Sequence, residues 1–96
     1  MVRQARGRSP REEEHTQIFV MGNDVQGEPF QEQTETFNIS ESGISFYLKT
    51  PIWMDSHLIL KIPSSSLFEA DSVLKGKVVR MQNESSGKKL IGARFD

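Results

Sequence analysis

The sequence predicts an all-β protein: six antiparallel strands closed into a small barrel, preceded by a flexible basic arm. Three observations carry that expectation. Apolar and polar residues alternate with a period of two in several segments, most cleanly through Ile44, Phe46 and Leu48 and again through Leu58, Leu60 and Ile62. Clusters of Gly, Pro, Asn, Asp and Ser separate these segments at regular intervals. No segment has the spacing of an amphipathic helix. Strong strand twist lets such a set close on itself, which removes edges that would otherwise invite aggregation.

The elements follow in order. Residues 1–14 carry dense charge, Gly7 and Pro10 and little apolar content, and are read as the arm; residues 15–96 are the barrel. Residues 16–21 are β-branched and aromatic and stop at Gly22-Asn23-Asp24. The loop passes Gly27 and Pro29, and residues 30–37 form a weakly alternating strand with one wet face. Residues 43–49 put Ile44, Phe46 and Leu48 on one face and Ser45, Tyr47 and Lys49 on the other, ended by Pro51. Pro63 ends the next strand. Ser64-Ser65-Ser66 opens a loop with Leu67 and Phe68 on the core's rim and room for a helical turn at residues 65–70. A long strand over residues 73–81, a turn at residues 83–87 and a last strand over residues 89–95 complete the set. Gly76 and Gly92 lie inside strand patterns, where glycine permits the bends a closed sheet needs or makes room for a neighbour such as Trp53 or Phe95.

Composition narrows the function. At 96 residues the chain is one domain, and it is stable only if most of its apolar residues share one core. It has no cysteine, which excludes a disulfide-stapled scaffold and a thiolate zinc site. No apolar run is long enough to span a bilayer and the N-terminus has no signal-peptide core, so the expected location is the cytoplasm, without membrane insertion. Charge is unevenly spread. Arg3, Arg6, Arg8 and Arg11 crowd the first eleven residues, which hold no acid; Glu12, Glu13 and Glu14 then open a stretch without Lys or Arg until Lys49. A basic arm before an acidic half suits an anionic partner or an ordinary solvated terminus. The near-neutral total, −1, argues against DNA or a general nucleic-acid coat.

The chain does not read as an enzyme. Asp55-Ser56-His57 contains the residue types of a nucleophilic triad, but neighbours in extended chain point apart, and the stretch reads as a turn before a strand. His15 and His57 are too far apart in sequence to suggest a metal site, and no cofactor is expected. Ser86-Gly87-Lys88 lacks the earlier glycine of a phosphate loop and precedes a strand, so it reads as a hairpin turn.

The most informative stretch is Asn38-Ile39-Ser40-Glu41-Ser42-Gly43. Asn and Ser commonly shape turns through their own backbone bonds, and the same side chains can meet a ligand where Gly43 adds no bulk. The spacing Asn38-x-Ser40-x-x-Gly43 resembles the second signature of the PilZ family, an Asp or Asn followed by x-Ser-x-x-Gly. Gly76-Lys77-Val78-Val79-Arg80 and Ile91-Gly92-Ala93-Arg94-Phe95 are similar to that family's last two strands, and the element order matches along the whole chain.

The resemblance implies a six-stranded PilZ-type barrel of split, Greek-key form that binds cyclic di-GMP, a bacterial second messenger, and passes the signal to another protein. It implies binding residues on both sides of the ligand: Arg6, Arg8 and Arg11 from the arm, and Asn38, Ser40 and Gly43 from the barrel. Arginine suits the task, since its guanidinium forks onto phosphate or a guanine edge and stacks on a base. This sequence departs from the family's first signature, Arg-x-x-x-Arg. Arg3 and Arg8 are one residue too far apart, as are Arg6 and Arg11; Arg11 is correctly spaced from His15, which replaces the second arginine. Loss of one charged partner costs about 1.5–3 kcal/mol, roughly tenfold to a hundredfold in affinity. The glutamate run beside it repels an anion. Two alternatives follow: a barrel that has lost nucleotide binding and docks a protein through Tyr47, Trp53 or the Leu67-Phe68 loop, and a single-strand nucleic-acid binder, disfavoured by charge and scarce aromatics.

Overall fold

The structure is a computed structural model and describes residues 16–64, 70–84 and 86–96. The arm with Arg6, Arg8 and Arg11, the next residue His15, and residues 65–69 of the helical turn considered at residues 65–70, with the pair Leu67-Phe68, lie outside the described residues.

Six strands form one closed antiparallel barrel: β1 (Gln17–Asn23), β2 (Pro29–Ile39), β3 (Gly43–Leu48), β4 (His57–Ile62), β5 (Ser72–Asn83) and β6 (Lys89–Phe95). Around the barrel the order is β1-β2-β3-β6-β5-β4, with β4 returning to β1. The closing ladder is the short one, pairing Phe19 with Lys61, Val20 with Leu60 and Met21 with Ile59. The interior is filled by the alternation that the sequence displays: Ile18 and Val20, Ile44, Phe46 and Leu48, and Leu58, Leu60 and Ile62 are all buried. Val78 and Ile91 from the last two strands close the same core. Burying one such side chain contributes about 1.5–3 kcal/mol.

Two strands are longer than the sequence pattern suggests. β2 begins at Pro29, and its first half alternates exposed and half-buried residues rather than polar and apolar ones. Glu32 occupies one inward-tending position there and is consumed by backbone: its carboxylate accepts Lys49 N at 2.9 Å, Thr50 N at 3.0 Å and the Thr50 hydroxyl at 2.7 Å. That fixes the end of β3. β5 runs from Ser72 to Asn83 because its first half pairs with β4 and its second half with β6. The hairpins close as turn chemistry dictates. Asp24 accepts the amides of Gln26 and Glu28 between β1 and β2, and Gly87 adopts φ +87° between β5 and β6. Residues 53–56 form a turn before β4, tied to β5 by Asp55 N to Val78 O and Val78 N to Ser56 O.

Gly76 and Gly92 are sites of close approach. A side chain at Gly76 would press on Leu60 and Ala93; one at Gly92 would meet Arg80. Neither Trp53 nor Phe95 is among their nearest neighbours. Gly43 is tighter still. A Cβ there would lie 2.7 Å from the Ala93 carbonyl oxygen, a backbone atom that cannot swing aside. Gly43→Ala is therefore expected to lower stability by about 1–3 kcal/mol by forcing β3 from β6, read as a lower denaturant midpoint with an unchanged slope. Glu32→Ala leaves three donors unmatched and is expected to cost about 1–3 kcal/mol, with faster exchange of the Lys49 and Thr50 amides.

Candidate functional site

The corner between β2 and β3 is built by Ser40. Its amide donates to Gly43 O at 2.9 Å, and its hydroxyl oxygen lies 3.3 Å from both the Ser42 and the Gly43 amides. The same oxygen is 3.3 Å from the Ser42 hydroxyl and donates to Gly43 O at 3.4 Å. All these side-chain contacts are long and lie at the surface. The corner is held to the barrel's last strand by Phe95 N donating to Ser42 O at 2.9 Å and by the Gly43–Ala93 approach. Ser40 and Gly43 thus both have structural work in the fold.

Asn38 is not in the corner itself. It pairs with Ser45 near the end of β2, after a register shift between Thr36 and Asn38 that makes Phe37 a bulge. The bulge leaves Thr36 and Ile39 both buried and Asn38 half-buried beside an outward Ser45. Phe37 is exposed, and its ring meets Tyr47 edge-on at 6.0 Å between centroids; Lys88 Nζ lies 5.0 Å from the Tyr47 ring centre.

The described chain begins at the same end. Thr16 pairs both ways with Thr36: Thr36 N donates to Thr16 O at 2.9 Å, and Thr16 N donates to Thr36 Oγ1 at 3.1 Å. Thr36 is buried, two residues before Asn38. Thr16, two residues beyond the arm, is therefore fastened beside the signature.

Register extends the surface across four strands. Asn38 pairs with Ser45, Ser45 with Gly92, and Gly92 with Arg80. At ordinary strand spacing this outward row is about 14 Å long. Its neighbours on one side are Gly43, Arg94, Lys77 and His57, also paired in turn. Lys77 faces Asp55 at 3.8 Å. Spacing along the chain could not reveal either row, since each joins residues from strands far apart in sequence. Arg80 and Arg94 were missed for that reason. Two surface hollows lie elsewhere: one of about 250 Å³ by Phe19, Pro63 and Val73, and one of about 350 Å³ by Glu32, Tyr47 and Lys88. Among the described residues no group of three His, Asp or Glu side chains could hold a metal, and no helix is long and apolar enough to cross a membrane.

This geometry agrees with what the chain resembles. The family model for the PilZ domain matches residues 5–96, and the chain belongs to that family. Among solved structures it is similar to the Bacillus subtilis inhibitor of motility MotI/DgrA, with a TM-score of 0.68 and 18% identity over 94% of this chain and 43% of that one. It is also similar to K. pneumonia MrkH in its complex with c-di-GMP, with a TM-score of 0.60 and 18% identity over 95% of this chain and 44% of that one. MrkH in its apo state gives 0.57 and 17% identity, over 96% and 45%. The chain spans less than half the length of these structures. No curated relative matches it.

Ser40→Ala removes the acceptor that gathers the Ser42 and Gly43 amides. The expected cost is about 0.5–1.5 kcal/mol, with amide exchange quickened at Ser42 and Gly43 and unchanged in β4.

Proposed function

We propose that the chain is a receptor domain for cyclic di-GMP, held between the arm and the outer face of the barrel, and that it acts by presenting the ordered arm to another protein. One observation carries the reading most: the two-way pairing of Thr16 with Thr36, which starts the arm's path beside Asn38 and Ser40. Arg11 is five residues before Thr16. Extended chain covers about 3.3–3.6 Å per residue, or roughly 17 Å over that distance, enough to cross the row from Asn38 to Arg80. Arg8 and Arg6 reach further.

The division of labour follows from the groups available. Arg11 and Arg8, with Arg6 in reserve, grip the two phosphates through paired charge-assisted bonds. Asn38 bonds a guanine edge, and the Ser40 hydroxyl turns from its long internal contacts toward a phosphate oxygen. Gly43 leaves the corner flat. The arm loses freedom only on binding, so ligand occupancy and arm order rise together. The ligand is the only small molecule this reading requires; the domain is a cytoplasmic adaptor rather than an enzyme, with residues 1–14 as its responsive segment.

The test is a calorimetric titration of the full chain with cyclic di-GMP, alongside amide shifts of residues 3–15 and 38–43. Micromolar or weaker binding is expected, with shifts in both segments and a further loss of about tenfold in Arg11→Ala. Absence of heat and of shifts at millimolar ligand overturns the reading.

A second reading rests on another observation. Trp53 is 65% exposed, with Met54 and Val79 also exposed. An apolar surface of this kind suits a protein partner, and His15 in place of an arginine weakens nucleotide binding. A partner that binds equally with and without cyclic di-GMP, and is lost in Trp53→Ala, would favour a docking module that does not respond to nucleotide.

A further inference from the structure

We propose that the acidic run Glu12-Glu13-Glu14 docks onto the barrel's own basic row, chiefly on Arg94 of β6 with Lys77 of β5 behind it, when no ligand is present. The dock itself needs no nucleotide; that it competes with one rests on the receptor reading above.

Charge on the barrel is polarised by strand. From Thr16 to Ser40 there is no Lys or Arg, while Asp24, Glu28, Glu32 and Glu35 fall in that stretch. From His57 to Asp96 seven Lys and Arg side chains stand against four Asp and Glu. Within that basic half Arg94 pairs with Gly43 on one side and Lys77 on the other, and Lys77 pairs with His57. Arg94 is exposed, and among the described residues its guanidinium has no ion pair or hydrogen bond. Carboxylates do border the row. Asp55 lies 3.8 Å from Lys77, Glu41 sits in the corner, and Asp96 follows β6, its amide donating to Lys75 O at 3.0 Å. None of them pairs with Arg94.

The path of the chain brings the run to this row. β1 and β2 are antiparallel, so the chain read back from Thr16 heads toward Asn38 and the corner. Glu35, opposite Gln17, repels carboxylates that would lie along β2 instead. From Thr36 to Arg94 is about 10 Å along β2 and about 10 Å over two strand steps, or roughly 14 Å direct. Glu12, four residues before Thr16, spans roughly 14 Å in extended chain, before either side chain is counted. The arginines of the arm are repelled by the same row when no anion lies between. The glutamates are the arm's complement to it, and a guanidinium takes a carboxylate through two parallel bonds. One exposed ion pair contributes little. A run tethered at Thr16 is held at high local concentration, which lets a weak contact stay occupied. Under the receptor reading, the run is then a built-in competitor that an anionic ligand displaces.

The test uses the full chain, first without nucleotide. Amide shifts and the Arg94 Nε–H signal are followed in wild type, in Glu12→Gln/Glu13→Gln/Glu14→Gln, in Arg94→Gln and in the variant combining all four changes. Each is measured in low salt and in about 1 M salt, where the screening length falls to about 3 Å. The triple variant is expected to move the Arg94 Nε–H signal and the Gly43 and Lys77 amides, and Arg94→Gln to move the amides of residues 12–14. The ratio of docked to free arm is expected to fall roughly twofold to fivefold in Arg94→Gln. High salt reproduces both changes in wild type and neither in the combined variant. Arg94→Gln is a change at an exposed side chain and is expected to leave the β4 amides in place. If the triple variant keeps the wild-type Arg94 Nε–H signal, the dock is overturned. If millimolar inorganic phosphate moves that signal equally in wild type and the triple variant, the row is open to outside anions and the dock is again overturned. Cyclic di-GMP is then added. Return of residues 12–14 to their high-salt shifts as it binds supports the competition; binding that leaves them docked overturns it. If no nucleotide binds, the receptor reading falls and the dock stands.

Discussion

The tightest glycine position among the described residues is on β3, where a methyl group on Gly43 would lie 2.7 Å from the Ala93 carbonyl oxygen of β6. Much else follows from it. It seats the β2–β3 corner against the last strand, where Phe95 N reaches Ser42 O. It fixes β3 and β6 in the register that sets Ser45 beside Gly92. From that register come both the core layer of Ile44 and Ala93 and the outward row above it. A glycine that looks like a ligand contact in the sequence is first a packing requirement of the barrel.

The core was legible because its physics is local. Ile44, Phe46 and Leu48, or Leu58, Leu60 and Ile62, announce a half-buried strand from spacing alone, and all six are buried. Turn residues announced the hairpins for the same reason. The first half of β2 was harder, since Glu32 and Thr34 sit where apolar residues would normally mark the inner face, and Glu32 is satisfied by amides seventeen and eighteen residues away. Neither bulge could be read in advance. Phe37 and Val79 look like ordinary strand residues, and only pairing with β3 and β6 shows that each is an extra residue. Hence Asn38 was placed in a corner and is found at a strand end, and the Arg80–Gly92 contact, twelve residues apart along the chain, had no sequence signal. The corner's spacing identified the family; the surface around it needed the register.

Bulges are what make this outer face more than an alternation of polar residues. A bulge re-aims side chains and tightens twist locally. The one at Phe37 turns Asn38 outward next to Ser45 and exposes the Phe37 ring beside Tyr47. The one at Val79 brings Arg80 over Gly92. Together they bound a strip whose middle is small and whose ends carry an amide and a guanidinium. In the proposed complex the second surface that excludes water and holds charge over this strip would come from the arm, which precedes Thr16 in the chain.

Under the proposed reading, Ser40 is a structural residue that would be lent to a ligand at small cost. A hydroxyl bound at short distance in a buried turn would give up a full hydrogen bond on switching partners. Here the contacts run from 3.3 to 3.4 Å, and the residue is exposed, so water can replace them. What holds the corner in place is the shorter backbone pair, Ser40 N to Gly43 O at 2.9 Å, together with Phe95 N to Ser42 O. Neither uses the hydroxyl. A phosphate oxygen is a stronger acceptor than a carbonyl at 3.4 Å, because a charged partner shortens and strengthens the bond. In the proposed complex the exchange would lean toward the ligand while the backbone of the corner stays where β6 put it.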